Sequence, residues 1–228
     1  MNSCNTEKET PNCESAPKAE KVNDKNHWET VYTKYDHTEL GWFEENPQPS
    51  LDLIELCELN SKSTILNVGA GATTLVDKLI DLKYSNILAT DISENALNVL
   101  TKRISSNENV KTIVDDLTRP TLLNEMESVD LWHDRAVLHF FTEDKDQDTY
   151  FDLLKSKVNT EGFVILAMFN LEGATKCSGL PIKQYNAELL SEKLGADFKL
   201  QKAFNHTYVM PSGNSREYVY TLFKRLNQ

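Results

Sequence analysis

Residues 63–91, STILNVGAGATTLVDKLIDLKYSNILATD, decide the fold. Thr64-Ile65-Leu66-Asn67-Val68 is an unbroken β-prone run, as expected for a central parallel strand covered on both faces. Gly69-Ala70-Gly71 turns the chain, and Thr73 or Thr74 stands where a helix cap is expected. Leu75, Val76, Leu79, Ile80 and Leu82 then supply the apolar side of a helix. Asn86 to Thr90 reads as a second strand, ending in Asp91. A carboxylate about 20 residues past a strand–glycine turn–helix is placed to accept hydrogen bonds from ribose hydroxyls. The stretch is half of a nucleotide-binding α/β unit.

The alternation continues downstream. Ser93 caps a helix bearing Leu97, Leu100 and Ile104, and Val110 to Val114 forms a third strand ending in Asp115-Asp116-Leu117. Val129 to Trp132 is a fourth strand, with His133, Asp134 and Arg135 leaving its end. Thr142 caps a long helix using Tyr150, Leu153, Leu154 and Val158, and Phe163 to Phe169 is a fifth strand after the Glu161-Gly162 turn. A loop containing Gly173, Gly179 and Pro181 leads to a helix over 186–194. Phe198 to Phe204 and Tyr218 to Phe223 read as strands joined through PSGNSRE, too short for a helical crossover, so they pair antiparallel. The expected architecture is a doubly wound α/β domain: a mostly parallel seven-stranded sheet closed by an antiparallel C-terminal hairpin.

Residues 1–25 are polar and nearly free of large apolar groups, which predicts a disordered tail, with one domain over 26–228. Trp28, Val31, Tyr32 and Tyr35 share one helical face, and Pro49 starts a helix through about Leu59 carrying Leu53, Leu56 and Cys57. The aromatic stripe serves either as packing or as a cover over a ligand site at the open end of the sheet.

The formal charge of −11 and the absence of a Lys/Arg cluster argue against nucleic-acid binding. The charge suits an enzyme acting on a small molecule, or one that meets a basic protein surface. No apolar run approaches the ~20 residues needed to span a bilayer, and the N-terminal segment lacks the hydrophobic region of a secretory signal. Cys4, Cys13, Cys57 and Cys177 form no CxxC pair, so neither a disulfide framework nor a metal site is expected. The expected location is cytoplasmic.

The parallel sheet with its terminal hairpin resembles the class I S-adenosylmethionine-dependent methyltransferases over residues 26–226. ILNVGAGATTL resembles that family's acidic-x-Gly-x-Gly-x-Gly motif, with Asn67 at the acidic position and Thr73 at the third glycine. The resemblance implies S-adenosyl-L-methionine as cofactor. Gly69, Ala70 and Gly71 would approach the methionyl group, and the Asn67 amide would accept from its amino group. Asp91 would bind the ribose and Ile92 lie against adenine, while Asp116 received the adenine amino group beside Leu117. HWETVY…GWF resembles the W-x-x-x-Y…W-F opening of several small-molecule and protein-lysine methyltransferases, so Trp28, Tyr32 and Trp42 would cover the cofactor. His133, Asp134 and Arg135 fall where the family builds its active-site floor. GATKCSGLP would form part of the acceptor pocket, with Cys177 either a site residue or a packed thiol.

The expected reaction is methyl transfer to a small molecule, with a thiol or other soft nucleophile favoured and His133 available as a base. A protein-lysine methyltransferase is the alternative, although HDRAVLHF replaces the D/E-K-G-T segment typical of that group. An NAD-dependent reductase fits less well, because Thr74 stands at the last position of G-x-G-x-x-G. A cofactor-binding partner without turnover is the remaining reading.

Overall fold

The structure is a computed structural model that describes residues 25–71 and 73–227. The expected N-terminal tail lies, except for Lys25, outside the described residues. The strands are β1 (Thr64–Val68), β2 (Asn86–Asp91), β3 (Val110–Val114), β4 (Val129–Arg135), β5 (Val158–Phe169), β6 (Lys176–Cys177), β7 (Leu180–Pro181), β8 (Phe198–Val209) and β9 (Ser215–Arg225). The helices are α1 (Lys25–Lys34), α2 (Gln48–Glu55), α3 (Leu75–Asp81), α4 (Glu94–Arg103), α5 (Leu122–Glu125), α6 (Asp144–Lys157) and α7 (Ala187–Leu194). Seven strands pair in the order β3-β2-β1-β4-β5-β9-β8, and β6 with β7 makes a separate two-stranded ribbon. β1 to β5 run parallel, while β9 is antiparallel to both β5 and β8.

Alternating side chains of the central strands feed two cores, because successive residues of a strand point to opposite faces. Ile65, Leu131, Ile165 and Ala167 pack with Leu53 of α2, Leu79 of α3 and Leu100 of α4. Leu66, Trp132, Val164 and Leu166 pack with Tyr150 and Leu154 of α6 and Leu190 of α7. Both faces are covered, so the central strands carry the apolar runs read from the sequence.

Several boundaries differ from expectation. The β4 ladder extends through Arg135, so His133, Asp134 and Arg135 belong to the strand. Neither Thr142 nor Thr74 caps a helix with its side chain; the Thr74 hydroxyl donates to the Glu44 carbonyl at 2.7 Å. Helix α2 begins at Gln48 and ends at Glu55, short of Leu59. The terminal strands are longer than their apolar segments.

Helix α1 is fastened to α4 by the Glu29 carboxylate, with the Asn95 amide donating to the Thr33 hydroxyl at 2.9 Å beside it. Glu29 accepts from the Ser93 hydroxyl at 2.9 Å and from the backbone N–H groups of Glu94 at 2.9 Å and Asn95 at 3.1 Å. These are unsatisfied donors at the N-terminus of α4, where negative charge is favoured. Glu29→Ala is expected to speed amide hydrogen exchange severalfold in α1 while leaving β1, β4 and β5 unchanged. Equal acceleration throughout the sheet would show a global role instead.

Candidate active site

The ends of β1, β2 and β3 are tied together where the sheet opens. The Ala70 N–H donates to the Thr90 carbonyl at 2.8 Å, and the Asp115 N–H to the Asp91 carbonyl at 3.1 Å. One oxygen of Asp91 accepts from the Gly71 N–H and the other from the Ser93 N–H, each at 2.9 Å. Each oxygen keeps a lone pair for a further donor. Burial, with the Glu29 charge adding in the same direction, pushes the Asp91 carboxyl up to about 6. Gly69 and Gly71 adopt φ of +56° and +52°. A Cβ on Gly69 would lie 2.0 Å from the Val137 side chain, and one on Gly71 would lie 2.4 Å from the Tyr32 hydroxyl. Both positions need glycine for the left-handed backbone and for the close approach.

A cleft of about 760 Å³, part of it open to solvent, runs past these strand ends. Asp91 and Ile92 beside the end of β2, and Asp116 and Leu117 beside the end of β3, line it together with Gly69, Val137, Arg135, Phe140 and Cys177. Trp28, Tyr32 and Trp42 complete the lining. Trp42 Nε1 donates to the Tyr32 hydroxyl at 3.1 Å, and the Trp28 ring meets Trp42 edge-on at 5.7 Å and Phe140 at 5.0 Å. Trp28 and Tyr32 of the α1 stripe therefore wall the cleft, whereas Tyr35 is exposed.

Asp116 is also committed locally. One oxygen accepts from the Thr118 N–H and hydroxyl at 2.9 and 2.7 Å, while the other pairs with Arg119 at 3.0 Å. Asp115, which sequence reasoning did not select, lines the same cleft and accepts from the N–H groups of Thr121 and Leu123. Ala136 was missed too; it follows β4 at φ +71°, an uncommon conformation for a residue with a side chain.

His133, Asp134 and Arg135 do not act as one cluster, because β4 continues through them and alternation splits them. Asp134 points into the α6 core, where it accepts from the N–H groups of Val137 at 2.9 Å and Leu138 at 3.1 Å and from the Tyr150 hydroxyl at 2.7 Å. Its carboxyl, pushed up to about 6 by burial, braces the turn after the strand and does not line the cleft. His133 faces the opposite side and lines a smaller cleft of about 520 Å³, part of it open to solvent, with Ser50, Asn67 and Arg135. Its Nδ1 lies 3.0 Å from Asn67 Oδ1 and its Nε2 lies 2.9 Å from the Ser50 hydroxyl. Burial, with the Arg135 charge, drives the imidazole down to about 3. The neutral ring therefore donates from Nδ1 and accepts from Ser50, leaving Asn67 Nδ2 buried without a partner among the described residues. His139 is enclosed by Phe140 and Phe169, with ring centroids 4.5 and 4.8 Å away. It packs in the short 3-10 turn that follows β4.

The residues present suit an adenosine cofactor. Asp91 offers acceptors for a vicinal diol, Ile92 and Leu117 offer apolar surface beside the acidic strand ends, and the buried Thr90 hydroxyl and Asn67 amide lack partners among the described residues. The five parallel strands, the terminal antiparallel pair and the glycine turn with Asp91 define a class I methyltransferase fold. Residues 65–162 match the family model for a methyltransferase domain. Over that segment the chain is similar to methyltransferase domains.

Solved structures agree on the fold. A methyltransferase from Anabaena variabilis superposes with a TM-score of 0.71 at 14% identity, covering 88% of this chain and 93% of its own. A protein described in the conversion of a disulfide bond into a thioacetal group during echinomycin biosynthesis gives 0.69 at 17% identity, covering 89% and 93%. The 1,6-didemethyltoxoflavin-N1-methyltransferase of Burkholderia thailandensis, solved with its acceptor and S-adenosylhomocysteine bound, gives 0.62 at 16% identity, covering 79% and 78%. A search of curated protein sequences found no match.

Proposed function

We propose that this chain transfers the methyl group of S-adenosylmethionine to a small-molecule acceptor, with a thiol or other soft nucleophile preferred, by in-line displacement. The observation that carries this reading is the aromatic cover: Trp28, Tyr32, Trp42 and Phe140 make a walled cleft suited to a compact acceptor. Among structures of similar fold, one is described by its action on a disulfide and another by methylation of a small heterocycle, which supports the same reading.

Asp91 accepts from the ribose hydroxyls, Ile92 and Leu117 flank adenine, and Asp116 receives the adenine amino group. Asn67, Gly69, Ala70 and Gly71 surround the methionyl group, while Tyr32 and Trp42 cover it. His133 sets the Asn67 amide, and Asp134 braces the turn that carries Ala136. The cofactor supplies an already activated methyl group on a sulfonium, so the protein contributes alignment and a water-poor pocket. No strong base is needed when the nucleophile is a thiol near its usual pKa of ~8.5, whose proton passes to water before attack. A lysine ammonium would need a carboxylate beside it. Here Asp134 turns away, Glu44 is paired with Arg135, and Asp91 and Asp116 lie at the adenosine end. One domain over 26–228, working in the cytoplasm without nucleic acid, completes the proposal.

A panel of small thiols assayed beside a cell lysate, with tritium in the transferred methyl group, tests it. Label is expected in small-molecule products. Label confined to protein bands would overturn the reading in favour of a protein substrate.

A further inference from the structure

The guanidinium of Arg135 is fixed on every side but one. Nε lies 2.9 Å from a Glu44 carboxylate oxygen and donates to the Tyr220 hydroxyl at 3.1 Å, while Nη1 donates to the Trp42 carbonyl at 3.0 Å. The rings of Tyr208 and Tyr218 bracket it, with centroids 4.9 and 4.8 Å from the guanidinium carbon. Nη2 is buried and has no hydrogen-bond partner among the described residues. An unpaired buried donor is unfavourable, and this one belongs to a rigid group lining the cofactor cleft. Its position separates it from the adenosine end of the cleft. The side chain reaches from β4 toward the tyrosines of β8 and β9, away from β2 and β3, whose ends carry Asp91, Ile92, Asp116 and Leu117. Cys177 lines the same cleft, where burial pushes its thiol up to about 11 against the opposing pull of Arg216 and Arg135. In a chain of net charge −11, a fixed guanidinium with an unpartnered N–H group in the lining of a cleft favours an anion.

Resting on the methyltransferase reading, we infer that Arg135 Nη2 anchors a carboxylate carried by the methyl acceptor. The acceptor is then a small anion with an apolar body that meets Trp28, Trp42 and Phe140. A guanidinium suits this task because its planar fork presents N–H groups in a fixed direction and stays charged. Glu44 and the tyrosines hold that direction before the acceptor arrives.

The test uses the full chain saturated with S-adenosylhomocysteine and two probes lacking a nucleophile, 3-phenylpropionate and 3-phenylpropanamide, titrated calorimetrically. The carboxylate is expected to bind roughly tenfold or more tightly than the amide, as a charge-assisted hydrogen bond implies. Arg135→Lys, which keeps the charge for Glu44 but lacks Nη2, is expected to bring the two probes within about threefold of each other. The double variant Arg135→Gln, Glu44→Gln removes the buried charge together with its partner and is expected to do the same. Both should bind S-adenosylhomocysteine within about threefold of the unmodified chain. Equal binding of the probes to the unmodified chain overturns the inference. A parallel loss of S-adenosylhomocysteine affinity in both variants also overturns it, by giving Nη2 to the cofactor. Failure of the unmodified chain to bind S-adenosylhomocysteine would instead remove the reading on which the inference rests.

Discussion

Asp91→Asn is expected to weaken S-adenosylhomocysteine binding about a hundredfold or more, since two charge-assisted hydrogen bonds are worth ~1.5–3 kcal/mol each. The carboxylate accepts from the Gly71 and Ser93 N–H groups and still has lone pairs for two ribose hydroxyls. The amide loses one acceptor and turns an NH2 group toward either a backbone donor or the ligand. A modest loss of stability should accompany the loss of affinity, and denaturant titration separates the two. The same residue sets the pH dependence. Its carboxyl sits near 6 against a usual value of 3.8, chiefly because of burial. Ribose hydroxyls donate to the ionised form, so affinity should rise with pH through about 6 and level off above it. Stability of the free protein moves the other way. A carboxyl raised in the folded state contributes stability that is present below pH 3.8 and lost as pH rises through about 6. Asp134, also raised to about 6, adds a change of the same sign. Calorimetric titration across pH checks the affinity, and Asp91→Asn should flatten the profile.

Gly69→Ala is expected to cost about 2–4 kcal/mol of stability, combining a non-glycine residue in the left-handed region with overpacking. The new methyl would lie 2.0 Å from Val137 Cγ2, in the turn that Asp134 braces. Val137→Ala should therefore rescue part of the loss, leaving a coupling of at least ~1 kcal/mol in a double-mutant cycle followed by urea denaturation. Strict additivity would mean that the backbone conformation alone carries the cost. The expected pattern joins β1 and β4 through one contact beneath the cleft.

The parts of this site that sequence made legible are local. Val110–Val114 has the expected bounds, and Gly71 and Asp91 meet at the ends of β1 and β2 because strand, turn and helix leave little freedom over 29 residues. The HDR segment was misread at the level of pairing. Its three residues look like a polar strand end, yet β4 continues beside β5, and alternation sends Asp134 into the opposite core. The Arg135 environment depends on Glu44, Tyr208, Tyr218 and Tyr220, which lie far away in the chain: the tyrosines arrive through the β5-β9-β8 pairing and Glu44 from the loop before α2. The role of Glu29 was likewise not legible, since its partners belong to α4. The far ends of β8 and β9 were invisible for a simpler reason. β8 is an edge strand that buries only Phe198 and Tyr208, so most of it carries no alternating pattern to read.

The most direct measurement is a pair of calorimetric titrations of the unmodified chain, one with S-adenosylhomocysteine and one with NAD. Saturable binding of one S-adenosylhomocysteine per chain, with none of NAD, is expected from Asp91, Asp116 and a glycine turn that ends in Thr74. Saturable binding of NAD with none of S-adenosylhomocysteine would contradict the cofactor assignment and everything built upon it.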